Sequence, residues 1–98
     1  HEHVEQCDGF AFLSGRMELA LWENRPGSPA AEFRQVFGED EMAFVTVPPG
    51  VVHGYRNVGE ADAYVLNFPD TLYAGWGRTQ PVDEIRHEAD ANSPYQLD

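Results

Sequence analysis

The sequence predicts an all-β fold, a sandwich or small barrel, and three observations carry that reading. Short β-favouring runs recur along the chain, each break between them has turn chemistry, and no long helical period or internal repeat is present. Taken in order, Gly9 to Leu13 is a strand closed by Ser14-Gly15, and Met17 to Trp22 is a strand closed by Asn24-Arg25-Pro26-Gly27-Ser28-Pro29. Phe33 to Phe37 ends at Gly38-Glu39-Asp40, and Met42 to Val47 ends at Pro48-Pro49-Gly50. Val51 to Tyr55 precedes the Asn57-Val58-Gly59-Glu60 turn, and Tyr64 to Phe68 completes the series. Beyond Phe68 the pattern loosens into Pro, Gly and charged residues; only Val82 to Arg86 reads as a further short strand. Residues 1–98 are expected to make one domain, with 74–98 a looser C-terminal segment draped over the sandwich.

At 98 residues a domain buries only about 60 to 65% of its unfolded surface, so a second copy is expected to supply more burial, giving a homodimer joined through sheet edges. Seventeen acidic against six basic residues give a net charge of −11, which repels nucleic-acid phosphates and anionic lipid and excludes both as partners. No apolar run approaches the roughly 18 residues of a membrane span. A single cysteine, Cys7, and no signal-like segment point to a reducing cytoplasm. All six basic residues are arginines, so no lysine is present to form a Schiff base or steady an oxyanion. Such an acidic, lysine-free surface also suits a high-salt cytoplasm, where repulsion is screened. The chain opens on His1, with no methionine and no strand before it, as a partial sequence would.

Chemistry concentrates in two segments. In His1-Glu2-His3-Val4-Glu5-Gln6-Cys7-Asp8, strand alternation sends His1 and His3 to one face, so both imidazoles reach a common point. Asp8 has the opposite parity and joins them only if a bulge or turn intervenes near Gln6 and Cys7. In Pro48-Pro49-Gly50-Val51-Val52-His53-Gly54-Tyr55-Arg56-Asn57, His53 shares parity with Val51 and Tyr55 and points into the interior. Pro49, Gly50 and Asn57 read as turn and strand-end formers, Arg25 as an anchor for a neighbouring carboxylate, and His87 as a solvated surface residue. Trp22 and Trp76 read as packing residues, although Trp76, close to Tyr73, is placed to stack on a ring.

Together the two segments resemble the paired motifs of the cupin superfamily, H-x-H followed by an acid and a glycine, then P-x-G, two residues, His, three residues, Asn. That resemblance implies a double-stranded β-helix, the cupin jelly roll. It also implies a divalent metal (Fe, Mn, Ni or Zn) on His1, His3, Asp8 and His53. Glu23-Asn24-Arg25-Pro26-Gly27-Ser28-Pro29, Pro49-Gly50-Val51-Val52-His53-Gly54-Tyr55 and Asp70-Thr71-Leu72-Tyr73 narrow the likeness, since they are similar to segments of the dTDP-4-dehydrorhamnose 3,5-epimerases.

The narrower resemblance implies an isomerase without a cofactor, epimerising carbons next to the keto group of a 4-keto sugar nucleotide. His1 would be the base, Tyr73 the opposite-face acid and Asp90 the carboxylate orienting His1. Two positions depart from that pattern: Asp8 stands where the epimerases carry an enolate-stabilising lysine, and His3 where they carry glutamine. Both departures restore the metal-binding pattern. A histidine coordinated through one nitrogen cannot also act as a base through it, so the two readings compete for His1. A non-catalytic sugar-binding cupin is the remaining reading.

Overall fold

Strands form where the turn chemistry places them. The computed structural model describes residues 1–38, 42–71, 74–88 and 90–97. Its strands are β1 (Asp8–Ser14), β2 (Arg16–Glu23), β3 (Glu32–Gly38), β4 (Ala43–Val47), β5 (Val51–Asn57) and β6 (Tyr64–Pro69). Each expected run falls within one of them, apart from Met42, which lies one residue before β4. The strands make two antiparallel three-stranded sheets, ordered β4-β1-β6 and β3-β2-β5. This is the all-β, jelly-roll-like sandwich that the sequence predicts.

The central strands β1 and β2 are neighbours in sequence but belong to different sheets, and the chain reverses between them at Gly15. Gly15 has φ of 76°, and a Cβ there would sit 2.7 Å from the Ala63 backbone, so only glycine makes this corner without strain. Alternation along each strand then builds the core. Phe10 and Phe12 of β1 and Val47 of β4 meet Met17 and Leu19 of β2, Phe37 of β3 and Val51 of β5 between the sheets. Phe12 stacks on Phe37 with centroids 5.1 Å apart and meets Tyr55 edge-on at 6.2 Å.

The outer faces are treated differently. On the β3-β2-β5 sheet Tyr95 and Leu97 lie over Ala20, Trp22 and Val52. Arg34 fastens them there, donating to the carbonyls of Gln96 and Leu97 while its guanidinium lies 5.3 Å from the Trp22 ring centre. Trp22 is thus a packing residue. Val82 to Arg86 does not form a strand; it contributes one antiparallel bridge, Ile85 with Glu2. The outer face of the β4-β1-β6 sheet is apolar instead. Gly9 and Ala11 of the middle strand lie between Phe44 on one side and Leu66 and Phe68 on the other, and these three large side chains are exposed. Phe44 and Phe68 approach to 5.8 Å across Gly9, whose missing side chain leaves room for the Phe44 ring.

The Arg25 turn is pinned as expected. Arg25 donates to Glu23 through its backbone nitrogen, Nε and NH2, at 2.9, 2.8 and 2.5 Å. These bonds hold the Glu23 carboxyl at about 2, against an ordinary 4.5. A depressed carboxyl stabilises the fold above its unfolded pKa, and that contribution is lost as pH falls through about 2. Arg25→Gln is therefore expected to return Glu23 to the ordinary range in an NMR titration; a Glu23 still titrating where it does in the wild type would refute the assignment.

Candidate active site

Three stretches far apart in sequence converge at one end of the sandwich. Residues 1–3 lie beside β5, with His53 N donating to the His1 carbonyl at 2.8 Å and Gly50 N to the His3 carbonyl at 2.9 Å. Gly50 has φ of 81°, and a Cβ there would stand 2.7 Å from Arg25 Cγ, so the Pro-Pro-Gly turn places this donor where other residues would be strained. On the far side of the same stretch, Glu2 and Ile85 exchange two backbone hydrogen bonds of 2.9 and 2.8 Å. Pleating therefore sends His1 and His3 inward and Glu2 outward. The buried Glu2 carboxylate receives Asn24 Nδ2 at 2.8 Å and faces His87 Nε2 at 3.0 Å. His87, expected as a solvated surface residue, is instead part-buried between Glu2 and Tyr95.

The turn on which Asp8 depends is present, and its cause lies in the tail. The Asp83 carboxylate accepts the backbone N–H groups of Val4, Glu5 and Gln6 at 2.7, 2.8 and 2.8 Å. Around this anion the chain crosses from one sheet to the other, so Asp8 begins β1 and faces His3 and His53 across the interior. Burial pushes the Asp83 carboxyl up, but the three amides outweigh it and leave it below its usual range.

His1, His3 and His53 lie with ring centroids 4.8 to 5.4 Å apart. His3 Nε2 is 2.8 Å and His53 Nε2 3.2 Å from the same oxygen, Asp8 Oδ2, while Gln6 donates to Asp8 Oδ1 at 2.7 Å. One potential donor atom from each of His1, His3, Asp8 and His53 lies within 4.8 Å of the others. The outer nitrogens face the backbone. His3 Nδ1 meets the Asp83 carbonyl and His53 Nδ1 meets the Val51 carbonyl at 3.1 Å, so each Nδ1 donates to a backbone carbonyl and each Nε2 is turned toward Asp8, that of His3 within hydrogen-bond distance of it. Burial pushes the His53 imidazole below its usual range, more than its hydrogen bond to Val51 and the nearby Asp8 charge raise it. The buried His53 Nε2 has no hydrogen-bond partner among the described residues. Imidazole nitrogens converging on a carboxylate, with the far ring nitrogens held by backbone carbonyls, are the side-chain set a divalent cation takes.

His1 differs from the other two rings. Its side chain is 36% exposed, its Nδ1 lies 3.5 Å from Glu84 Oε1, and it lines a cavity of about 630 Å³ that His3, Asp8, Asn67, Trp76 and Glu84 also border. The expected partner, Asp90, is exposed and accepts from the backbone of Asn92 at 2.9 Å within its own turn; the carboxylate beside His1 is that of Glu84. Tyr73 lies outside the described residues. Asp83, Glu84 and Gln6 were not anticipated. Nothing local marks Asp83 or Glu84, which sit in an aperiodic acidic stretch.

A small jelly-roll-like sandwich with a His-His-Asp-His cluster opening on a cavity is the class that fold and site define together. Comparison with known proteins adds two relatives. The chain is 29% identical over 76 residues to the probable low-salt glycan biosynthesis epimerase Agl13 of Haloferax volcanii, covering 74% of this chain and 49% of that protein. It is 32% identical over 75 residues to the spore coat polysaccharide biosynthesis protein SpsL of Bacillus subtilis, covering 74% and 50% respectively. The chain thus spans about half the length of the curated relatives it matches. No protein-family model matches it, and no solved structure does. Among the described residues no helix is long and apolar enough to cross a membrane.

Proposed function

We propose that this chain carries the reaction pocket of a carbohydrate-biosynthesis isomerase that moves a proton at the carbon next to a sugar ketone, with a 4-keto sugar nucleotide as the substrate class. The observation that carries the reading is His1, a half-exposed imidazole on the cavity wall with a carboxylate, Glu84, at its Nδ1. Likeness to two proteins named for glycan and polysaccharide biosynthesis, one of them as an epimerase, supports the same class. In this reading His1 takes the proton at a ring nitrogen and Glu84 steadies the imidazolium that results. Return of a proton from the opposite face belongs to Tyr73 by resemblance alone. Incubating the protein with a 4-keto sugar nucleotide in deuterated water tests the proposal: deuterium is expected at a carbon flanking the ketone, and unlabelled sugar would overturn it.

A second reading is favoured by the partnerless His53 Nε2. His1, His3, Asp8 and His53 would hold a divalent cation, which when bound supplies a Lewis acid for a carbonyl oxygen where this chain has no lysine. Removing Asp8 takes away the only anionic donor of the four. Asp8→Asn is expected to lower zinc or manganese retention at least tenfold by elemental analysis after dialysis, on the scale of a lost ligand contact. Equal retention by variant and wild type would remove the metal reading while leaving the proton-transfer reading standing.

The partner we propose is a second copy, meeting at the uncovered apolar face around Gly9 rather than at sheet edges. Phe44, Leu66 and Phe68 let two chains of net charge −11 approach without pressing acids together. Phe68→Glu is expected to convert a dimer to a monomer in sedimentation; an unchanged mass would place the contact elsewhere.

A further inference from the structure

Trp76 is the most exposed aromatic side chain among the described residues, 83% accessible, and yet it borders the same cavity as His1. Its loop holds it there. Ala74, Gly75, Gly77 and Arg78 all have positive φ, at 55°, 74°, 72° and 58°, and two of the four are not glycine. The loop is closed by Gln80 N to the Ala74 carbonyl at 2.8 Å and Arg78 N to the Gly75 carbonyl at 3.2 Å, with Ala74 buried beneath. A backbone so constrained, presenting an indole with little packed against it, makes a flat apolar platform beside polar groups that can receive hydroxyls, such as Asn67 and Gln80.

The charges of the cavity act with that platform. Glu5, Asp8, Asp83 and Glu84 all line it, and no arginine does so among the described residues. The Asp83 carboxylate is fixed in place by the backbone amides of Val4, Glu5 and Gln6. A ligand group entering here meets carboxylates and neutral polar groups, so a second anion is repelled while hydroxyls and amines are received.

Resting on the proposed carbohydrate reading, we infer that the cavity admits the uncharged or amino-bearing ring of a glycosyl substrate, laid with its C–H face on Trp76, and turns away sugars that carry a carboxylate. Any charged carrier group stays outside the cavity. Trp76 is then a specificity-determining residue, and its role is separate from proton transfer.

UDP-glucose and UDP-glucuronic acid, identical except at one carbon, are the probes. Binding is read from the Trp76 indole N–H resonance, assigned by its disappearance in Trp76→Phe, and affinities from calorimetry. UDP-glucose is expected to shift that resonance and to bind at least tenfold more tightly than UDP-glucuronic acid, with Trp76→Phe retaining binding and Trp76→Ala losing about tenfold or more. Equal or tighter binding of the glucuronate, unaltered affinity in Trp76→Ala, or no binding of either probe up to about 10 mM would overturn the inference. Selective binding without deuterium exchange into a keto sugar would uphold this inference and sink the isomerase, and exchange without selectivity would do the reverse.

Discussion

Exchanging His1 for asparagine is expected to slow deuterium uptake next to the sugar ketone by about a hundredfold to ten-thousandfold, the usual worth of a positioned general base. Asparagine keeps a polar side chain of similar reach but cannot accept the proton. Because His1 is only half-buried and its hydrogen bond with His53 runs through the backbone, the variant is expected to fold, and its circular dichroism and unfolding midpoint should match the wild type. Glu84→Gln leaves the base in place and removes the carboxylate charge at 3.5 Å, so a smaller loss of about tenfold is expected. Uptake unchanged by His1→Asn would assign the base elsewhere.

Phe12→Ala has the largest expected effect on stability. Phe12 is 2% exposed, stacks on Phe37, meets Tyr55 edge-on and lies between the two sheets. Truncation removes the ring's transfer free energy and leaves a cavity that two paired sheets cannot collapse around, which costs about 3 to 5 kcal/mol. Small domains hold only about 5 to 15 kcal/mol in total, so the variant is expected to be partly unfolded or to melt some 15 to 25 °C lower. Phe12→Leu keeps most of the volume and is expected to cost about 1 kcal/mol. Urea denaturation of the pair checks both figures; a loss below about 1 kcal/mol for the alanine variant would mean that the core repacks around position 12.

The strands were legible because each is bounded by residues with a local reason to turn, and a strand's faces follow from parity. That parity also put His1 with His3 and turned His53 inward. Asp8 was legible only as a condition, since its meeting with the histidines depends on a sheet-to-sheet crossing held by Asp83, about 80 residues away. Glu84 was displaced by Asp90 in the reading for the same reason. Neither belongs to a periodic segment, and which carboxylate reaches His1 depends on where the tail docks. His87 was misread because its partner, Glu2, is buried by the pairing of residues 1–3 with Ile85, a contact no local pattern announces.

The clasp between the first residues and the stretch around Asp83 sets the order in which the molecule can come into being. Hairpin-like neighbours such as β2 and β3 can zip early, whereas this closure spans about 80 residues and carries a large loop entropy. During synthesis His1 and His3 are made well before Asp83 and wait for it. Until Asp83 has left the ribosome the amides of residues 4–6 lack the carboxylate they turn around, so a nascent chain, or one clipped before Asp83, is expected to be inert however much of its sandwich has formed.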